Sequence, residues 1–327
     1  MRLARPMLRT IVLLCSVTVA VGGCAGSSGD TLPAGPSPAA RPESFPVASG
    51  LTLEQLVQGI PQGPVLSAAV SVLEPARTNR FTFSLLDRAR QQIRGAQVAL
   101  YAAGSGGAGV IGPFVARSVA IGAAKAFTSR SAATSLDAIR SVYLAAVRFP
   151  GIGRRRVVAL TRLDGRLVAS RAIQVVVGGA GPPDVGDRAP RIHTPTAASV
   201  GGDLARIDTR IPHSTMHGVD YAGVIGRRPM VIAFASPGRC PSGFCGRVLD
   251  ALEAVKAQVG RRISFIHMEA YGPDRGAGVW RPQARAFRLR TQPWVFAIDR
   301  SGRVAARFEG PASPAELRSV VERVLEP

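Results

Sequence analysis

The segment Met230–Cys245, MVIAFASPGRCPSGFC, limits what this chain can fold into more than any other. Met230 to Ala235 is an unbroken apolar run that Pro237 and Gly238 stop. An apolar run that short, bounded by turn residues, reads as a central strand. Two cysteines five positions apart follow, and beyond them Val248, Leu249, Leu252, Val255 and Val259 recur at helical spacing. The order is therefore buried strand, bend, thiols, helix. A thiol at the mouth of a helix feels the positive end of the helix dipole, which favours thiolate.

Downstream, Ile263–Met268 reads as the next buried strand and Pro282–Leu289 as a short helix. Trp294–Ile298 and Val304–Phe308 form a hairpin around Asp299–Gly302. Ser313-Pro-Ala-Glu316 is a capping box with proline at the first helical position, and its helix buries Leu317, Val320, Val321, Val324 and Leu325. This series resembles the thioredoxin fold. Pro293, after Thr291 and Gln292, stands where that family keeps a cis-proline facing its cysteines. Val185-Gly-Asp-Arg-Ala-Pro190 is similar to the entry segment of peroxiredoxins and extracytoplasmic thioredoxin-like proteins. The resemblance covers residues 187–327 and implies an α/β thioredoxin-like domain there.

The sequence departs from the family at the thiols. Cys-x-x-Cys is here Cys-x4-Cys, and Arg239 replaces the tryptophan before the first cysteine. On one intact helix, cysteines so spaced have Cα atoms roughly 8–9 Å apart, beyond the ~7 Å a disulfide spans. Either Cys240 lies in the loop ahead of the helix, or oxidation unwinds the first turn. Pro241 and Gly243 permit both.

Cys240, nearest the strand end, is the candidate nucleophile, its pKa lowered by Arg239 and the helix terminus. Cys245 is the candidate resolving thiol. Pro293 and Gln292 shape the groove and offer backbone groups to an extended substrate. The resemblance implies a thiol–disulfide oxidoreductase with no cofactor and no metal, acting on protein thiols or disulfides and recycled by a redox partner. A static disulfide is the plain alternative, although so short a loop gains little from closure. A thiol peroxidase is another. Ser236-Pro-Gly-Arg-Cys240 is close to the peroxiredoxin Thr-Pro-x-Cys approach, but its hydroxyl residue stands one place too far upstream and Ala233 replaces a proline. A copper carrier would use both thiolates and an imidazole. No histidine follows His267, which alternates with apolar neighbours as a packing residue, and His193, His213 and His217 lie upstream. A non-enzymatic interaction protein on the same fold also stays open.

The N-terminus sets the expected compartment. Arg2, Arg5 and Arg9 precede the apolar run Ile11–Val21, which is too short to span a bilayer and reads as a signal peptide. Ala20-Val-Gly-Gly-Cys24 resembles a bacterial lipobox, with Val21 in place of the usual leucine. That implies cleavage after residue 23, lipidation of Cys24, and a protein anchored to the extracytoplasmic face of the cell membrane. Residues 24–45, dense in Gly, Ser, Pro and Ala, read as a flexible tether. Of four cysteines, Cys15 leaves with the leader and Cys24 takes the lipid, so Cys240 and Cys245 remain as a pair.

Residues 46–178 follow a period of two. Arg80–Leu86, Ala96–Ala102, Tyr143–Phe149, Val157–Leu163 and Ala172–Val177 read as strands, with Asp164-Gly165 a tight turn. Tyr143-x-Ala145-x-Val147 followed by Pro150-Gly151 resembles the late strands of an immunoglobulin-like domain, with the tyrosine ring in the core and its hydroxyl on a backbone group. The chain is thus expected to be multi-domain, an all-β immunoglobulin-like sandwich preceding the thioredoxin-like domain, joined by a linker at residues 179–186. The first domain holds no histidine or cysteine and reads as a spacer or docking module. Ser131, Ser135 and Asp137 read as loop and cap residues. Gly104–Gly112 lacks the strand–turn–helix setting of a phosphate cradle and reads as a flexible connection. The net charge of +20, from 41 basic and 21 acidic residues, is spread through both halves without interleaved aromatics. Nucleic-acid binding is not expected, and the excess of arginine reads as codon-composition bias, with some attraction to anionic envelope polymers beside it.

Overall fold

The computed structural model describes residues 40–130, 139–240, 242–272 and 279–325. The leader, Cys24, nearly all of the tether, Ser131, Ser135, Asp137 and Pro241 lie outside them. Among the described residues no helix is long and apolar enough to cross a membrane.

Nine strands make up the first folded part: β1 (Val65–Ala68), β2 (Thr78–Leu86), β3 (Gln92–Ile93), β4 (Gln97–Gly104), β5 (Ile111–Ala120), β6 (Ser141–Arg148), β7 (Gly153–Leu163), β8 (Arg166–Ala169) and β9 (Ile173–Val177). Their order is β1-β2-β6-β5-β4-β7-β8, with β3 on β2 and β9 on β7, and every pair is antiparallel. This is one hydrogen-bonded path, where the immunoglobulin-like expectation calls for two sheets. The physical reason is strand length. β7 pairs with β4 along most of its length, with β8 at its far end and with β9 at its near end.

The sheet curls on itself. Phe81, Phe83 and Leu85 of β2 share a core with Val98, Leu100 and Ala102 of β4 and Val157 and Ala159 of β7, although two strands separate β2 from β4. Tyr143 stacks on Phe83 in this core, and its hydroxyl accepts the Ala96 N–H at 2.9 Å. The alternate residues Ala99, Tyr101 and Ala103 face a second core under Phe45, Leu53 and Leu56, the last two on helix α1 (Leu53–Val57). Ala96–Ala102 is expected to alternate, but Val98–Ala103 of β4 is buried on both faces and is accordingly apolar throughout. No strand is read from the sequence over β5, which carries a proline, and a proline ordinarily argues against a strand. Gly112 resolves the conflict. At φ +126° it passes so close to β4 that a Cβ would lie 2.8 Å from the Leu100 carbonyl, and the peptide to Pro113 is cis.

The second part holds β10 (Met230–Phe234), β11 (Ser264–Met268), β12 (Trp294–Ile298) and β13 (Val304–Glu309) in the order β11-β10-β12-β13. β10 and β11 are parallel, and β12 and β13 run antiparallel. A parallel pair needs a crossover, which α3 (Phe244–Val259) supplies after the short α2 (Tyr221–Val224). Two further helices follow, α4 (Pro282–Ala286) and α5 (Pro314–Leu325). Val231 and Ala233 of β10 pack under α3 and α5, while Met230, Ile232 and Phe234 pack with Tyr221 and Phe287 on the other face. β10 is therefore apolar throughout. Strand order, crossover helix and terminal hairpin together are thioredoxin-like.

The segment read as a linker is held at several points. Arg307 donates to the Pro182 and Pro183 carbonyls, and the Gly186 N–H donates to Val304. The two parts also touch elsewhere. Arg80 pairs with Glu316 at 2.9 Å, and Arg307 pairs with Glu74.

Candidate redox site

The site is built where β10 ends. A 3-10 turn, Pro237–Arg239, carries the chain from the strand to Cys240, and Gly243 at φ +69° turns it into α3. A residue with a side chain resists that left-handed conformation, so glycine suits this cap. Cys240 has extended backbone angles and lies outside the helix. It is bonded to Cys245 across a Cα–Cα distance of 6.1 Å, within disulfide reach. Of the two geometries the spacing allows, this is the one with Cys240 in the loop.

The sulfurs differ in environment. Cys245 is fully buried in the core beneath α3, whereas Cys240 is half-buried. Gly243 has no side chain with which to cap the helix, and Cys240 Sγ stands in, accepting the Cys245 N–H at 3.3 Å. The first amides of a helix lack partners within it and carry its positive end. A thiolate on Cys240 would therefore sit at a favourable terminus. The Ser242 hydroxyl lies 3.4 Å from the same sulfur.

Gln292 fixes the loop. Its Oε1 accepts the Ser236 N–H at 2.8 Å, and its Nε2 donates to the Arg239 carbonyl at 2.9 Å. The side chain expected to serve substrate thus spans the turn before the nucleophile. The peptide from Gln292 to Pro293 is cis, and the Pro293 carbonyl accepts the Gly310 N–H. Arg239 closes the turn and places its carbonyl on Gln292. Ser236, the residue compared with the peroxidase hydroxyl, is buried and accepts the Ala270 and Tyr271 amides.

Beneath the loop lies a charged cluster that sequence reasoning missed. His267 is fully buried, and its Nε2 donates to the Ala235 carbonyl at 2.9 Å. Its Nδ1 lies 3.5 Å from Asp208 Oδ2. A neutral ring with Nε2 protonated would aim a lone pair at that carboxylate, so a proton on Nδ1 relieves the conflict. Burial pulls the His267 pKa down, but Asp208, Glu269 and the Ala235 carbonyl together raise it above the ordinary value. Burial likewise pushes Asp208 up. Hydrogen bonds from His217, His267 and the Arg210 amide more than offset this and hold it far below the usual carboxylate range. His217 Nε2 is 3.1 Å from the same oxygen.

The cluster reaches the thiol loop through Thr209. Glu269 Oε1 accepts both the amide and the hydroxyl of Thr209 at 2.8 Å, and that hydroxyl accepts the Gly238 N–H at 2.8 Å. Nothing in the sequence periodicity marks these residues, because the partners are far apart in the chain and Thr209 lies in a segment without regular repeat. Ligand atoms of Asp208, His217 and His267 all lie within 4.8 Å of one another, so these three could hold a transition metal if the His267 proton left. His267 Nε2 is bound to the Ala235 carbonyl, and its Nδ1 faces Asp208 at 3.5 Å.

No protein-family profile matches the chain, and no curated protein matches it. Among solved structures it is similar to a thiol:disulfide interchange protein, a thioredoxin family protein from Chlorobium tepidum TLS. The identity is 19%, with 45% of this chain and 99% of that chain covered and a TM-score of 0.30. A likeness that slight carries no argument, and the fold stands on its own strand order.

Proposed function

We propose that this protein is a thiol–disulfide oxidoreductase of the cell envelope, with Cys240 as nucleophile and Cys245 as resolving thiol. The observation that carries the proposal is the asymmetry of the pair. Cys240 is half-buried, outside the helix and against its first amides, while Cys245 lies in the core behind it. In the reducing direction the Cys240 thiolate attacks a substrate disulfide. An S–S bond forms between Cys240 and substrate, and the departing substrate sulfur leaves as thiolate and takes a proton. Cys245 loses its proton and attacks Cys240 Sγ. The Cys240–Cys245 bond forms, the mixed disulfide breaks, and the second substrate thiolate departs. The substrate gains two electrons and the pair loses two. The oxidising direction is the reverse, and a redox partner restores the starting state. The lipobox-like Ala20–Cys24 supports anchoring through lipidated Cys24, with extracytoplasmic protein thiols or disulfides as substrates.

The test is trapping. Cys245→Ser should accumulate a mixed disulfide on Cys240 with a disulfide-bearing model protein, seen as a dithiothreitol-sensitive adduct on non-reducing gels. Cys240→Ser should accumulate none. Resistance of the native disulfide to dithiothreitol, or insulin reduction that survives Cys240→Ser, would overturn the assignment. The peroxidase reading has less support, since the Ser236 hydroxyl is bound to backbone amides behind the loop.

A further inference from the structure

The two folded parts meet at the thiol loop. The segment after β1 lies across the cis-proline region. The Ser71 and Val72 amides donate to Glu309 Oε2 at 2.8 and 2.9 Å, and the Ser71 hydroxyl is 3.3 Å from Thr291 Oγ1. Gly310 passes so near the Ala69 carbonyl that any side chain there would collide with it. On the other side of the thiols, Phe244 is buried against Val119, Ile121 and Val142 of the first part. Between these two fastenings runs a groove of about 400 Å³, lined by Ser67, Val70 and Arg90 on one wall and Ser242, Phe244 and Gln292 on the other.

We infer that this groove is the docking site of the polypeptide substrate, an extended acidic segment that carries the reacting cysteine, and that the first domain is its specificity wall. The inference rests on the thiol-exchange reading above. Ser242 places the groove beside the sulfur, because its hydroxyl is 3.4 Å from Cys240 Sγ. The lining mixes small, apolar and polar side chains, as a peptide backbone with alternating side chains requires. Charge selects the occupant. Arg90 is exposed in the groove, at φ +64° in a turn closed by its amide on the Asp87 carbonyl. The facing carboxylate, Glu309, has its oxygens occupied by the Ser71 and Val72 amides and the Thr291 hydroxyl, whereas the Arg90 guanidinium is open to solvent. Less the three leader arginines Arg2, Arg5 and Arg9, the chain behind the groove keeps +17 of its net charge of +20 and presents a positive field to the approaching segment.

The experiment uses the full chain in detergent and three disulfide probes: a small aromatic disulfide, and two otherwise identical peptides with acidic or basic residues flanking the cystine. Wild-type protein should reduce the acidic peptide with a kcat/KM about tenfold above the basic one, and Arg90→Glu should invert that order. Ser67→Trp, at an exposed position, should raise KM for both peptides by narrowing the groove. Equal rates on the two peptides, or a ratio that Arg90→Glu leaves unchanged, would overturn the inference. Reaction with the small disulfide reports the thiol pair alone, so its failure sinks the thiol reading and not the groove. In that event, anisotropy of a labelled acidic peptide with serine in place of cysteine decides. Binding lost in Arg90→Glu supports the groove, and no binding to wild type refutes it.

Discussion

Reduction of the Cys240–Cys245 bond should lower the stability of the folded chain by about 1–2 kcal/mol. The bond joins residues five positions apart, so it closes a loop of six residues counting both cysteines. For that length the loop-closure entropy removed from the unfolded chain is about 7 cal/mol/K, or roughly 2 kcal/mol at room temperature. The reduced folded state recovers part of this. Cys240 Sγ sits on the second amide of α3, and a thiolate there gains about 0.3–1 kcal/mol from the helix terminus. The entropy term is the larger, so the oxidised form should remain the more stable. By linkage, about 1.4 kcal/mol corresponds to 30 mV for a two-electron couple, so the folded pair should be roughly 20–40 mV more reducing than the same loop unfolded. The assay is equilibrium urea unfolding of the oxidised and phosphine-reduced protein, with Cys240→Ser/Cys245→Ser as the form that cannot close. A loss above about 4 kcal/mol would mean that the bond is a staple for the surrounding structure, as removal of a native structural disulfide shows. A reduced form as stable as the oxidised one would mean that the terminus outweighs the loop. Either result refutes the reasoning.

Three other outcomes follow from the site. The His267 pKa is raised, so its share of stability is complete below about pH 6.5 and is lost as pH rises through the folded value. The depressed Asp208 contributes above about pH 3.8 and loses its share only on strong acidification, so the pair stabilises most between these limits. Asp208→Asn should bring the His267 pKa down and flatten the fall in stability above neutrality, read by imidazole NMR titration and urea unfolding across pH. An unchanged titration would show that Asp208 does not hold the proton. Thr209→Val should cost about 1–2 kcal/mol, since Gly238 loses its acceptor and Glu269 a donor, and the Gly238 amide should exchange faster with solvent. No change in that amide would break the link between cluster and loop. Phe244→Ala should cost about 3 kcal/mol and admit protease between the two folded parts, while a cost under about 1 kcal/mol would deny that the ring is packed there.

What could be read from the sequence was what short-range periodicity and caps encode. The buried run Met230–Phe234, the α3 stripe and the Ser313–Glu316 capping box recur in the structure within a residue or two of expectation. The cis peptide before Pro293 is present too. Pro282–Leu289 forms a shorter helix than its pattern suggests, because Arg288 takes a left-handed conformation at φ +55° that ends the turn. The nine-strand part was legible as strands but not as a topology. Alternation tells which residues face inward, whereas pairing order depends on strand length and on contacts such as Gly112 against Leu100 that no local signal carries. The cluster around Asp208 was invisible for a related reason. Its members belong to different elements, and each alone looks like an ordinary polar residue in a loop or a packed histidine.

The same non-local contacts argue against reading the nine-strand part as a spacer. A spacer on a flexible linker would leave the thiol helix free of it, yet the first turn of α3 is shared between the two parts. Phe244, its first residue, is buried against Val119, Ile121 and Val142, and Cys245, its second, holds the disulfide. One helical turn further on, Asp250 accepts the Ser129 amide and pairs with Arg210, which also donates to the Phe127 carbonyl. On the thiol-exchange reading proposed above, Cys245 is the group that closes the bond again, and contacts from both parts hold the helix that carries it.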